Sequence, residues 1–297
     1  MPTPPGRAIQ VVLAPVDVVD DGTHPGPDRS VPAAGKEAHA LPSHRPAHAC
    51  VVLLAVAALA LVSSPVAASD AEGASTASSS TATVHERRLV GRSVQDRPIY
   101  AYRKGSPTAR RTVVVLGQMH GNERAVRPTA RYLTGLAVSR DVDLWIVPTM
   151  NPDGAAHRSR RNARGVDFNR NYGHRWQRSS RGSVTYGGAR PSSEPETRAV
   201  VRFLNDVDPR HVVSLHQPLY GVDTDGVKDR GLMRRLVRET GLPARRFSCT
   251  GVCRGTLTGW FDAHHPGAAT TVEFGRAPGT HWRQAKGRAI LRAVGAR

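Results

Sequence analysis

Four short apolar runs rich in β-branched residues constrain this chain most: Thr112–Leu116, Val142–Val147, His211–Leu215 and Ala269–Phe274. A continuous apolar run of five or six residues reads as a strand covered on both faces. Arg97–Arg103 alternates apolar and polar residues and reads as a further strand. Helical spacing fills the gaps. Asn122–Val138 places Ala125, Ala130, Leu133 and Leu136 on one face, and Glu194–Val207 turns Val200, Val201, Phe203 and Leu204 inward. Arg230–Thr240 is a helix stopped by Gly241 and Pro243, and Thr280–Val294 is the last. Strands alternating with helices predict an α/β fold: a single domain over residues 85–297 with a mixed, largely parallel sheet flanked by helices. Residues 149–193 show no period and many Arg, Asn, Gly and Ser, the mark of a long loop that is either functional or disordered.

The first 84 residues read differently. Residues 1–49 hold many Pro, Gly, Ala and His without a sustained period. An uncharged apolar run at 51–62 follows Arg45 and leads to Ser63-Ser64-Pro65-Val66-Ala67-Ala68. A positive flank, a short apolar core and a small-residue exit describe a secretory signal peptide. Residues 1–68 are therefore expected to be an N-terminal extension and signal, cleaved after Ala68, with a retained anchor as the alternative. The Ser/Ala/Thr-rich stretch 69–84 is expected to be a flexible linker. The mature protein is then secreted or held at the cell envelope. Cys50 would leave with the signal, and Cys249 and Cys253 are expected to form a local disulfide.

The formal net charge is +18. Such a field favours anionic surfaces, anionic cell-wall polymers among them. No basic helix carries base-reading residues or interleaved aromatics, so a specific nucleic-acid partner is not expected. The mature protein is expected to be a monomer.

Side chains at the carboxyl ends of strands carry the chemistry in parallel sheets. Thr112–Leu116 runs into Gly117-Gln118-Met119-His120-Gly121-Asn122-Glu123. His120 sits just past the strand and Glu123 on the first turn of the expected helix, where an i, i+3 pair faces one point. On its own His-x-x-Glu is a weak motif, equally explained by a capping Glu and an exposed His. His211–Leu215 runs into His216, a natural third ligand. Two imidazoles and a carboxylate suit one zinc ion, and three protein ligands leave a position open for catalysis. Glu273, near the end of Ala269–Phe274, is costly there unless used or paired. It is the candidate general base. The loop Arg160–Tyr172 supplies cations and amides, and Arg forks read carboxylates.

These pieces, in this order, resemble the M14 zinc carboxypeptidases. The resemblance begins at Gly91–Ile99, which looks like the family's entry strand. It runs through His120-Gly121-Asn122-Glu123, Asn151-Pro152-Asp153-Gly154, Gly165–Tyr172, Ser214-Leu215-His216 and Thr271-Val272-Glu273. The wording at 151–154 and 162–171 is similar to the bacterial murein-peptide amidase branch. The resemblance implies that His120, Glu123 and His216 bind zinc and that Glu273 activates water and passes its proton to the leaving amine. It implies that Arg160 polarises the scissile carbonyl, with Arg158 and Arg161 as competitors for that role. It also implies that Asn169 and Arg170 hold the terminal carboxylate of a peptide with a free C-terminus.

One departure stands out. The family's mobile Tyr before the catalytic Glu has no counterpart, since no Tyr follows Tyr220, and Trp260 is expected to close the pocket instead. The specificity pocket is expected over 249–261, where Arg254 is the charged residue. Without an acid there, selection of Lys or Arg is not expected, and an acidic or diaminopimelate-like residue is. Two other functions fit the sequence. One is a zinc amidohydrolase of N-acyl amino acids, similar to the aspartoacylases. The other is a non-catalytic basic wall-binding protein.

Overall fold

The structure is a computed structural model that describes residues 86–249 and 253–297. The expected signal peptide (1–68) and linker (69–84) lie outside the described residues. Among the described residues no helix is long and apolar enough to cross a membrane.

Four parallel strands form the centre of one sheet: β4 (Val142–Val147), β3 (Arg111–Leu116), β5 (His211–His216) and β8 (Ala268–Glu273). On one side β2 (Pro98–Gly105) runs antiparallel to β4, and β1 (Glu86–Arg92) antiparallel to β2. On the other, β6 (Gly221–Asp223) runs antiparallel to β8, and the two-residue β7 (Ala244–Arg245) extends it. The order is β1-β2-β4-β3-β5-β8-β6-β7. The expected α/β domain with a mixed, largely parallel sheet is what forms.

Both faces of the central strands are buried, because alternate residues of each run enter different layers. Val113, Val115, Leu144, Ile146 and Val213 pack under α1 (Val126–Thr134), α4 (Arg230–Thr240) and α6 (Thr280–Ala293). Val114, Leu116, Trp145, Val147 and Val212 pack under α3 (Pro195–Val207) and α5 (Leu257–His264). Each such side chain contributes about 1.5–3 kcal/mol of burial. That two-sided cover is why these runs lack an alternating polar face.

Several elements depart from the periodicity. The segment 91–99 is a hairpin, not one entry strand: β1 ends at Arg92 and β2 begins at Pro98. The helix expected from Asn122 starts at Val126, and Glu123 sits in the turn before it. Pro128 explains the late start. It has no N–H, so it is tolerated in a helix's first turn, where that donor would be unpaired, and not in an interior. Helix α5 escaped the reading because it is short and contains Gly259. Its signal was there: Thr256 caps Gly259 N–H, and Leu257, Trp260 and Phe261 share the buried face.

The long stretch 149–193 is not structureless. It contains α2 (Pro152–His157) and a 3₁₀ turn at Phe168–Arg170. Asn151 caps α2 through Gly154 N–H at 2.8 Å and donates its own amide to Met119 O at 3.1 Å, tying the loop to the segment that carries His120. Cys249 and Cys253 are bridged as expected.

Gly121 lies so close to α2 that a Cβ there would meet Gly154 C at 1.9 Å and Ala155 N at 2.3 Å. Both are backbone atoms, which cannot rotate away. Gly121→Ala is expected to cost about 1–3 kcal/mol or more in urea unfolding. An unchanged unfolding midpoint would mean that this contact is loose.

Candidate metal centre and substrate cavity

The ends of adjacent parallel strands bring the candidate ligands together. His120 follows β3, and Glu123 is turned back by its N–H to His120 O at 3.1 Å. His216 is the last residue of β5, and Glu273, the last of β8, is its register partner. All four are buried. His120 Nδ1 lies 2.6 Å from Glu123 Oε1, and His216 Nδ1 lies 3.2 Å from Glu123 Oε2. The ring centroids are 5.0 Å apart.

Three observations fit this trio to one metal ion. Its candidate ligand atoms all lie within 4.8 Å of one another. Glu123 Oε2 is buried and makes no hydrogen bond of proper geometry. Both imidazoles turn Nδ1 inward and engage outer partners with Nε2: Asp167 Oδ1 at 3.1 Å for His120 and Ser214 Oγ at 3.0 Å for His216. Such partners fix ring orientation at metal sites. Two nitrogens and a carboxylate oxygen are a zinc donor set.

The electrostatics agree. Burial disfavours a charged His120, but Glu123 and Asp167 more than offset it and raise its pKa to about 9. Burial likewise opposes a charged Glu123, yet His216 and His120 bring it down to about 2. A cation is wanted at this point, and a metal ion would take the place of the His120 proton.

Asp167 is the residue whose role the sequence reading missed. It is fully buried and accepts three further bonds: Asn169 N–H at 2.9 Å on Oδ1, and Arg160 Nε–H at 3.1 Å and Nη2–H at 2.8 Å on Oδ2. Burial works against its charge, but His120, Arg160 and Arg170 hold its carboxyl far below the usual range. The available signal was a lone acid in an Arg-rich loop, two residues before Asn169, at the start of a turn.

A cavity of 880 Å³ opens over the trio, and all seven residues singled out in the sequence line it: His120, Glu123, Arg160, Asn169, Arg170, His216 and Glu273. Arg158 and Arg161 are not in its described wall; Arg161 reaches Ser183 O instead, at 3.3 Å. Arg170 is half-buried, which lowers its pKa, and its guanidinium donates to the neutral Asn169 carbonyl. It makes no ion pair among the described residues. Asn169 is fixed by its Oδ1, which accepts Leu257 N–H at 3.1 Å. Burial raises Glu273, and Leu219 N–H holds its Oε2 at 3.1 Å.

Two expectations need correction. Trp260 does not close the pocket. It packs inside, against Tyr172 at 5.7 Å and Phe261 at 6.4 Å, because α5 turns it into the core. Cys249, Cys253, Thr256, Thr258 and Gly259 of the segment 249–261 do line the cavity, but acids reach it from elsewhere: Asp223 and Asp225 from β6 and the turn after it, and Asp262 from α5. Asp225 pairs with Arg246 at 3.0 Å. Asp262 accepts Ala269 N–H at 2.7 Å, and burial pushes its carboxyl up to about 6.

Comparison with known proteins gives a consistent picture. Residues 75–218 match the family model described as zinc carboxypeptidase. The chain is 30% identical over 141 residues to murein peptide amidase A of Escherichia coli K12, covering 43% of this chain and 58% of that protein. It thus spans less than two thirds of that relative's length. It is 27% identical over 143 residues to carboxypeptidase SOL1 of Arabidopsis thaliana, covering 43% of this chain and 28% of that one. Among solved structures, murein-tripeptide amidase MpaA from Escherichia coli O157 has the same fold, with TM-score 0.61 and 24% identity over 74% of this chain and 95% of that one. Carboxypeptidase A from Helicoverpa armigera shares it too, with TM-score 0.61 and 17% identity over 71% and 69%.

Asp167→Asn keeps the shape but removes the charge that orients His120. Zinc affinity, measured by competition with a chromophoric chelator, is expected to fall about 10–100-fold. Unchanged affinity would reduce Asp167 to a partner of Arg160.

Proposed function

We propose that this chain, which carries a zinc carboxypeptidase domain of the M14 family, is an exported metallocarboxypeptidase that releases C-terminal residues from peptides, with cell-wall stem peptides as its substrate class. The supporting observation is Arg170: a half-buried guanidinium with no direct ion pair among the described residues, which feels Asp167 only through space, in the same cavity as the metal-binding trio and Glu273. A half-buried cation of that kind is suited to a terminal carboxylate. An exopeptidase needs that feature; a wall-binding protein does not. The apolar run at 51–62 supports export, and a monomer at the cell envelope is the proposed working form.

Each residue has a definite task. Arg170 and the Asn169 amide fix the substrate's carboxylate and so set which amide bond faces Glu273. Arg160, steadied by Asp167, holds its remaining Nη1 edge beside the metal-binding trio, 3.3 Å from His120 Nδ1, where it would stabilise the charge that develops on the scissile carbonyl. Glu273 accepts a proton from the attacking water and delivers it to the leaving nitrogen. Its raised pKa, a consequence of burial, suits that double role. Zinc, when bound by His120, Glu123 and His216, supplies the Lewis acidity that makes water nucleophilic near neutral pH.

The cavity holds acids (Asp223, Asp225, Asp262) together with bases (Arg246, Lys228). That mixture suits a side chain bearing both an ammonium and a carboxylate, as diaminopimelate does, and the murein peptide amidase relative supports the same class.

Glu273→Gln is expected to retain one zinc per chain while turnover of a matched peptide drops about 10²–10⁴-fold. Full activity would remove Glu273 as the base. The pocket makes a pH prediction. Asp262, raised to about 6, is charged above that pH and neutral below it. The ratio of kcat/KM for an ammonium-bearing C-terminal residue over Leu should therefore shrink as pH falls from 7.5 to 5. Taking the ratio cancels the titration of Glu273. Asp262→Asn should flatten it, and a ratio independent of pH in the unaltered protein would place the ammonium elsewhere.

A further inference from the structure

A second cavity, of 580 Å³, opens at the amino ends of β3, β5 and β8, the end of the sheet remote from the metal-binding trio. Arg110, Arg210 and Arg230 line it, each exposed. None of their guanidinium groups has a hydrogen-bond or ion-pair partner among the described residues. The two carboxylates nearby are engaged: Asp208 with His265 and Asp229 with His211, each at 3.1 Å. Lys228 is engaged as well, donating to the carbonyls of Asp262 and His265.

Backbone donors at this edge are also used. Arg210 N–H bonds Thr112 O at 2.9 Å, Ala268 N–H bonds Arg210 O at 3.0 Å, and Asp229 caps α4 through Leu232 N–H at 2.9 Å. Three guanidinium forks in its lining are thus unpaired among the described residues. In the wall between them His211 is buried, with Nδ1 lacking any partner.

We propose that this cavity is a binding site for a phosphate group, held by Arg110, Arg210 and Arg230. Three guanidinium charges exceed what one carboxylate can balance, whereas free phosphate brings nearly two negative charges on four oxygens and a phosphodiester chain brings several charged groups in succession. The cavity is larger than a phosphate ion, leaving room for the group that carries it. The shared chemistry is therefore phosphate, free or in a phosphodiester polymer. The two cavities share Lys228 in their walls, but Arg110, Arg210 and Arg230 line the second alone, so the site does not rest on the catalytic reading.

The test uses the full, zinc-loaded chain, titrated calorimetrically with inorganic phosphate and, separately, with poly(glycerol phosphate). Arg110→Gln/Arg210→Gln/Arg230→Gln is compared with a charge-matched variant elsewhere, Arg131→Gln/Arg202→Gln/Arg297→Gln. The cavity variant should bind at least about tenfold more weakly, and the matched variant within about twofold of the unaltered protein. Peptide turnover should be the same in all three. Binding of both probes supports a free-phosphate site, and binding of the polymer alone supports a diester site. The His211 ring signals in the unaltered protein should shift with either bound probe, a readout that needs no variant. Equal losses in both variants, a silent His211, or binding of neither probe would overturn the proposal.

Discussion

A buried knot of charge at the carboxyl edge of the sheet governs this structure. His120, Glu123, His216 and Asp167 sit almost out of contact with water, where an unpaired ion would cost several kcal/mol. They are tolerated because each satisfies another. Glu123 faces two imidazoles, and Asp167 collects His120, Arg160 and the Asn169 backbone. The arrangement leaves the Glu123 Oε2 oxygen without a proper hydrogen bond, a place that a bound cation would fill.

The knot sits on loops, and polar side chains take over from periodic backbone structure in holding them. Asn151 joins α2 to the carbonyl of Met119, the residue just before His120. Asp153 is buried beneath the β1–β2 turn, where Ser93 Oγ, Gln95 N–H and Arg97 reach it at 2.7, 3.0 and 2.7 Å. Asn162 donates to Glu194 at 2.8 Å and to Glu196 at 3.4 Å. These buried networks stiffen a 45-residue stretch, 149–193, that apolar periodicity could not describe.

Charge is distributed unevenly around this frame. Many Arg residues are spent on neighbours: Arg88 on Asp206, Arg97 on Asp153, Arg103 on Asp143 and Arg292 on Glu239. The strong net charge is therefore not one uniform field. Among the described residues Arg170 makes no direct ion pair in the large cavity, and three more arginines at the sheet's other end have no side-chain partner. Positions of that kind, not the total, say where anions are to be received.

The central strands, α3, α4 and α6 were legible in the sequence, because burial on one or both faces writes itself as apolar spacing. So were His120, Glu123, His216 and Glu273, since strand ends in a parallel sheet converge by topology. Three things belonged to the tertiary structure alone. Asp167 gained its place because a turn folds it under His120, a contact across 47 residues that no local pattern encodes. Trp260 went to the core, and acids arrived in the pocket from β6 and α5, because helix phase and chain return set side-chain direction. The start of α1 past Glu123, by contrast, was written locally, in Pro128. Local spacing reports what must be hidden from water; which polar groups meet in that hidden space depends on distant segments arriving together.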